Sequence, residues 1–110
     1  AYSTRKTDPE KALTYAERAR ELAPRNPFVM DTMGMVLLEK GDYQHSIRLL
    51  RAASAAVPAS QVMRYHLALA LASNGDKAEA IQVLEGTLAN QGNFPERAEA
   101  EKLFADLRRQ

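Results

Sequence analysis

Residues recur in this chain at a fixed spacing of 34. Pro24 is matched by Pro58, Leu37 by Leu71, Gly41 by Gly75, Asp42 by Asp76, Ile47 by Ile81 and Leu50 by Leu84. Ser46 and Ala80 fall on the same spacing as one small-residue slot. A period of this length belongs to arrays of helix–turn–helix units, in which each hairpin buries its apolar face against the next. It restricts the chain to an all-α stack before any other feature is read. Composition agrees: of 110 residues 45% are apolar but only 6% aromatic, with alanine and leucine dominating. That mixture suits packed helices.

Local signals place the helices. Asp8-Pro9-Glu10 predicts a helix start, with an N-cap, a proline at the first helical position and an acid in the first turn. Ala12, Leu13, Ala16, Ala19 and Ala23 continue it, and Pro24 ends it. Asn26-Pro27 opens the next helix by the same logic. Its apolar face is Met30, Met33, Gly34, Leu37 and Leu38. Gly41 suits the left-handed position that closes a helix. A further helix spans about Tyr43 to Val57, with Ile47, Leu50, Ala53 and Val57 inward and Pro58 as its stop. The following pair covers about Ala59 to Asn74 and Lys77 to Ala89. A last helix begins at Pro95-Glu96, with Ala100, Leu103, Phe104 and Leu107 on one face. Nothing reads as a strand, and the loops are short, so neighbouring helices are expected antiparallel.

The chain resembles the tetratricopeptide repeat family. That family's pattern has a bulky residue at position 4, Leu at 7, Gly or Ala at 8 and an apolar residue at 11. Ala follows at 20, an apolar residue at 24, Ala at 27 and Pro at 32. Counted from Pro27, one repeat supplies Met30, Met33, Gly34, Leu37, Ser46, Leu50, Ala53 and Pro58. Counted from Gln61, a second supplies Arg64, Leu67, Ala68, Leu71, Ala80, Leu84 and Thr87. The resemblance implies a right-handed solenoid of antiparallel helix pairs. Residues 1–24 would be the remnant of a truncated repeat (second helix about 8–23), 25–58 and 59–92 complete repeats, and 93–110 a C-terminal capping helix. Small residues at positions 8 and 20 have a steric reason, because the two helices of a hairpin come closest there. The last helix leaves register: a shift of two residues puts Leu103 at 7, Phe104 at 8 and Leu107 at 11. A phenylalanine in a small slot fits a terminal helix with no partner beyond it.

In this family the first helix of each repeat lines the concave face, and ligands touch positions 2, 5, 9, 12 and 13. Carried over, these are Phe28, Asp31, Met35, Leu38 and Glu39, then Val62, Tyr65, Leu69, Ala72 and Ser73. The resemblance therefore implies a non-catalytic module that docks a protein or peptide segment, with Phe28, Asp31, Met35, Leu38, Glu39, Val62, Tyr65 and Leu69 as its contacts. A mainly apolar stripe of this kind suits an apolar or amphipathic segment. Clamps for a terminal carboxylate need paired cations, whereas Asp31, Thr32, Met35, Val62 and His66 occupy the comparable places. The alternative is a purely structural end of a longer array. In that case Tyr2, Leu13 and Tyr15 would form an edge open to self-association.

The phrases NPFVMDTMGMVLLEKGDY, RYHLALALASNGDKAEA and FPERAEAEKLFADL are similar to the C-terminal repeats of bacterial lipoproteins of PEP-CTERM/exosortase, exopolysaccharide-linked systems. Met35 stands where those proteins usually carry Trp. That similarity implies a periplasmic, outer-membrane-anchored parent; without it the compartment is open, with the cytoplasm as the default. The opening residue is Ala1 rather than Met, as in a piece of a longer protein, and Ala1 to Asp8 lacks an apolar signal core.

Charge and chemistry narrow the classes further. Fifteen basic and 14 acidic residues leave a net charge of +1. No global field draws in nucleic acid or an anionic membrane. Arg48 and Arg51 read as a solvated outer face. No cysteine is present, which removes disulfides and thiolate metal sites. His45 and His66 lie on different repeats without ligand spacing, so no metal or cofactor is expected. Glu96, Glu99 and Glu101 sit early in the last helix, where acids favour the helix dipole. No constellation points to an enzyme.

Overall fold

Capping chemistry at each turn sets where the helices begin and end. In the computed structural model, residues 26–90 and 92–110 are described. The expected helix near Asp8 to Ala23 and the edge residues Tyr2, Leu13 and Tyr15 lie outside them. The described residues form five helices and no strand: α1 Pro27–Lys40, α2 Tyr43–Ala56, α3 Gln61–Ser73, α4 Lys77–Ala89 and α5 Arg97–Arg109.

Asn26 starts α1. Its Oδ1 accepts from the Phe28 N–H at 2.9 Å and from the Val29 N–H at 3.4 Å, with Pro27 supplying the first helical residue. Such a cap is worth about 1 kcal/mol. Ser60 does the same for α3, accepting from the Met63 N–H at 3.3 Å. That start lies two residues after the one the sequence placed at Ala59, because the hydroxyl of Ser60, and not Pro58, supplies the cap.

The 34-residue period reappears as geometry. Gly41 and Gly75 both have φ of 86°, a conformation that costs side-chain-bearing residues and not glycine. The Gly41 N–H donates to Leu38 O and the Asp42 N–H to Leu37 O, at 3.1 and 3.0 Å. Gly75 and Asp76 repeat the pattern on Ala72 O and Leu71 O, at 3.1 and 2.9 Å. These bonds close α1 and α3 and turn the chain into α2 and α4.

The two turns differ in how the next helix is capped. Asp42 accepts from the His45 N–H at 3.4 Å, and its Oδ2 lies 2.6 Å from the His45 Nδ1. Asp76 makes no side-chain cap bond to α4. The side-chain hydrogen bond from His45 holds the Asp42 carboxyl below its ordinary value. A carboxyl depressed by folding contributes stability that is complete above its unfolded pKa and is lost as pH falls through its folded pKa. His45→Ala is therefore expected to raise the Asp42 midpoint toward the ordinary carboxylate value in an NMR titration of the side-chain carboxyl. It should also remove the part of the stability that is lost as pH falls through the Asp42 range, so that the variant's stability depends less on pH there. An unmoved midpoint would mean that the imidazole does not set it.

Packing follows the order of the chain. α1 packs on α2, α2 on α3, α3 on α4 and α4 on α5, and α1 also touches α3. Within each hairpin the crossing is closed by small residues. Gly34 meets Ser46, whose hydroxyl donates to Gly34 O at 2.7 Å, and Ser46 is fully buried. Ala68 and Ala80 are fully buried at the equivalent crossing. Leu50 and Leu84, one repeat apart, are both fully enclosed.

The last helix is held by a residue the sequence reading passed over. Arg97 donates to Asn90 O at 2.9 Å, Gly92 O at 3.0 Å and Leu88 O at 3.0 Å. It is a cation placed on the open carbonyls at the C-terminal end of α4, where the helix dipole favours positive charge. Gln61 reaches the same end from α3, donating to Thr87 O and Asn90 O at 3.1 and 3.3 Å. On α5, Ala100 and Leu107 are buried, while Leu103 and Phe104 are half-buried against the core. Phe104 thus lies on the rim of the core and is not enclosed by it. The Arg108 guanidinium lies over its ring, 5.2 Å from the centroid, a favourable cation–π placement.

Candidate functional site

Helices α1 and α3 form one layer of the stack, and α2 and α4 the other. α1 packs directly on α3, whereas α2 and α4 have no comparable packing and are joined at their surface by a paired Arg51 and Glu79. The hydrogen bond from Glu79 holds the Arg51 guanidinium pKa above its ordinary value. The helices of the α1/α3 layer thus approach each other more closely than those of the other layer.

All eight residues expected to make ligand contacts lie on this layer, at very different depths. Phe28, in the first turn of α1, is 65% exposed, and no other large hydrophobic side chain among the described residues is as open. Glu39 is exposed near the other end of α1. Val62, Leu38 and Leu69 are half-buried, and the two leucines pack against the core. Met35 and Tyr65 are buried, at 4% and 8% exposure, within the same apolar cluster as Ile47, Leu50 and Leu71. They contribute little surface. Their positions on α1 and α3 follow the repeat, but the neighbouring helices close over them.

Asp31 is joined to a partner that sequence reasoning left unassigned. Its Oδ1 lies 2.9 Å from the His66 Nδ1, and both side chains are only 16% exposed. The bond crosses from α1 to α3, so it ties one repeat to the next on this layer. Each residue satisfies the other, as a half-buried polar pair must to avoid a desolvation cost. Position 5 of one repeat against position 6 of the next is a pairing visible only once the repeats are stacked.

The layer offers apolar surface around the joined Asp31–His66 pair. No group of three or more His, Cys, Asp or Glu side chains among the described residues could hold a metal ion. No helix there is long and apolar enough to cross a membrane. Elsewhere, a shallow open depression is lined by Gly75, Asp76, Lys77, Ala78, Glu79 and Ile81. Its Lys77 is engaged with Gln110 O at 2.6 Å.

Compared with known families, residues 32–98 match a model described as tetratricopeptide repeat. No curated protein matches the chain.

Proposed function

We propose, for a chain that belongs to the tetratricopeptide repeat family, a non-catalytic role in docking a protein segment on the layer formed by α1 and α3. Repeats of this family generally mediate protein–protein interaction. The observation that carries the assignment to this layer is Phe28. A large aromatic held 65% open to solvent at the start of α1 gains from being covered, and aromatic side chains dominate binding energy at protein interfaces. Half-buried Val62, Leu38 and Leu69 extend the apolar surface. The Asp31–His66 pair is joined within the layer, and the apolar side chains around it favour an apolar or amphipathic segment over a charged tail. Met35 and Tyr65 support the layer from beneath.

The complete repeats are read as 25–58 and 59–92, with 93–110 as the end cap. The balanced charge, at +1 overall, favours a protein partner over nucleic acid. The resemblance of three phrases to exopolysaccharide-system lipoproteins favours an envelope-anchored parent, with the partner among the sorting or polysaccharide machinery at that membrane.

Phe28→Ala tests the docking layer. With a partner isolated on the unaltered protein, the substitution is expected to raise Kd by about thirtyfold, the loss typical of a buried aromatic anchor. Its Tm should stay unchanged, because little of the ring is packed in the free protein. A control on the other layer, Gln82→Ala on the exposed face of α4, should leave Kd unaltered. Equal affinity for Phe28→Ala and the unaltered protein would remove the anchor and the layer with it.

A further inference from the structure

The turn between α3 and α4 carries a chemically labile pair that its counterpart one repeat earlier lacks. Asn74 is followed by Gly75, and both are exposed. Lys40-Gly41 holds the equivalent place in the preceding repeat. The other asparagines are followed by Pro27, Gln91 and Phe94. The nitrogen of Pro27 has no hydrogen to lose, and Gln91 and Phe94 carry side chains that crowd the backbone nitrogen. Only Gly75 leaves its nitrogen unhindered, because glycine has no Cβ.

We propose that Asn74 is a self-modification site, deamidating through attack by the backbone nitrogen of Gly75, and that the folded turn both restrains the reaction and is weakened by its product. The Gly75 nitrogen attacks the Asn74 side-chain carbonyl carbon. A C–N bond forms and closes a cyclic succinimide, the bond to Nδ2 breaks, and ammonia leaves with the proton that the Gly75 nitrogen gives up. Water then opens the ring at either carbonyl to give aspartate or isoaspartate. No electrons are transferred, and water is the sole co-reactant.

Three features of the fold oppose the first step. Asn74 has φ −84° and ψ −2°, which turns the Gly75 nitrogen away from the side chain it must attack. The Gly75 N–H is engaged with Ala72 O at 3.1 Å. The Asn74 Nδ2 donates to Asp76 Oδ2 at 2.9 Å, which holds the side chain toward Asp76. Opening the turn releases all three, so conversion follows local opening of the α3–α4 hairpin.

The product alters the same contacts. An aspartate at this place replaces a donor by an acceptor, and sets a second carboxylate against that of Asp76. Isoaspartate lengthens the backbone within a turn whose Gly75 and Asp76 amides close α3. Each change favours the open turn, and an opened turn frees Ala80 and Leu84 from a hairpin in which both are fully buried.

The test is timed incubation of the purified protein at mildly alkaline pH, with peptide mass spectrometry and isoaspartate detection. Asn74 is expected to convert about tenfold faster than Asn90 or Asn93, since only its following residue lacks a Cβ, and Asn26 not at all by this route. Its rate should rise with urea below the unfolding midpoint. Asn74→Lys, which copies the preceding repeat, should abolish conversion at this peptide with helicity retained. Asn74→Asp should lower Tm by about 4 °C. Conversion of Asn74 no faster than that of the other asparagines would overturn the site. A rate indifferent to urea would overturn the restraint by the turn, and an unchanged Tm in Asn74→Asp would overturn the weakening.

Discussion

Met35→Glu costs the fold about 3–4 kcal/mol near neutral pH, the penalty for an uncompensated charge in an apolar interior. Met35 is 4% exposed and lies in one cluster with Ile47, Leu50 and Leu71. A carboxylate there loses its water among apolar side chains, and the Asp31–His66 pair on the same layer is already joined. Desolvation raises the pKa of such a carboxyl in the folded state. The sign of the pH dependence follows. A raised folded pKa means that the penalty is full above that pKa and shrinks as pH falls toward the unfolded value. Urea unfolding of the variant should therefore show its largest deficit at neutral pH and a smaller one near pH ~4. A variant as stable as the unaltered protein would mean that Met35 faces solvent and that α1 is rotated from the orientation described.

The second expectation sets the same substitution at two glycines and predicts opposite signs. A Cβ at Gly34 would lie 2.6 Å from Leu50 Cγ and 2.7 Å from Leu50 Cδ2. Leu50 is fully buried, so either its side chain must repack or α1 and α2 must separate. Overpacking of this kind costs about 1–3 kcal/mol, against a gain of at most about 1 kcal/mol in helix propensity. Gly34→Ala is expected to be net destabilising by about 1–2 kcal/mol. Gly86 sits within α4 with nothing inside 4 Å of the added carbon. Gly86→Ala receives the propensity gain alone and should stabilise by about 0.5–1 kcal/mol. Denaturant midpoints measured side by side decide the matter. A Gly34→Ala protein at least as stable as the unaltered one would show that the hairpin does not cross there.

These two expectations mark what can and cannot be seen in a sequence of this kind. Gly34, Ser46, Ala68 and Ala80 were legible because close helix crossings leave no room for side chains, and that constraint acts on the residue itself. Gly41 and Gly75 were legible for the same reason: positive φ selects glycine wherever the turn is needed. The start of α1 at Asn26-Pro27 followed from capping and that of α4 at Lys77 from the Gly75-Asp76 turn before it, while Ser60 was missed because Pro58 dominated the signal. The α1/α3 layer was legible as a set of positions, but its depth was not. Phe28 and Met35 both lie on α1 at family ligand positions, yet one is open and the other enclosed. Burial depends on how the next hairpin is placed, which no local pattern encodes. The same holds for Asp31 with His66 and for Arg97 on the carbonyls of α4. Each is a contact between segments that only packing brings together.

We propose that partner contact belongs to the α1/α3 layer and not to the α2/α4 layer. Backbone amide shifts of isotopically labelled protein, recorded while its partner segment is titrated in, test it most directly. The account predicts perturbations concentrated at Phe28, Val62 and Leu69, with Arg48, Ala55 and Gln82 on α2 and α4 unmoved. Perturbations centred on α2 and α4, with Phe28 unaffected, would contradict it.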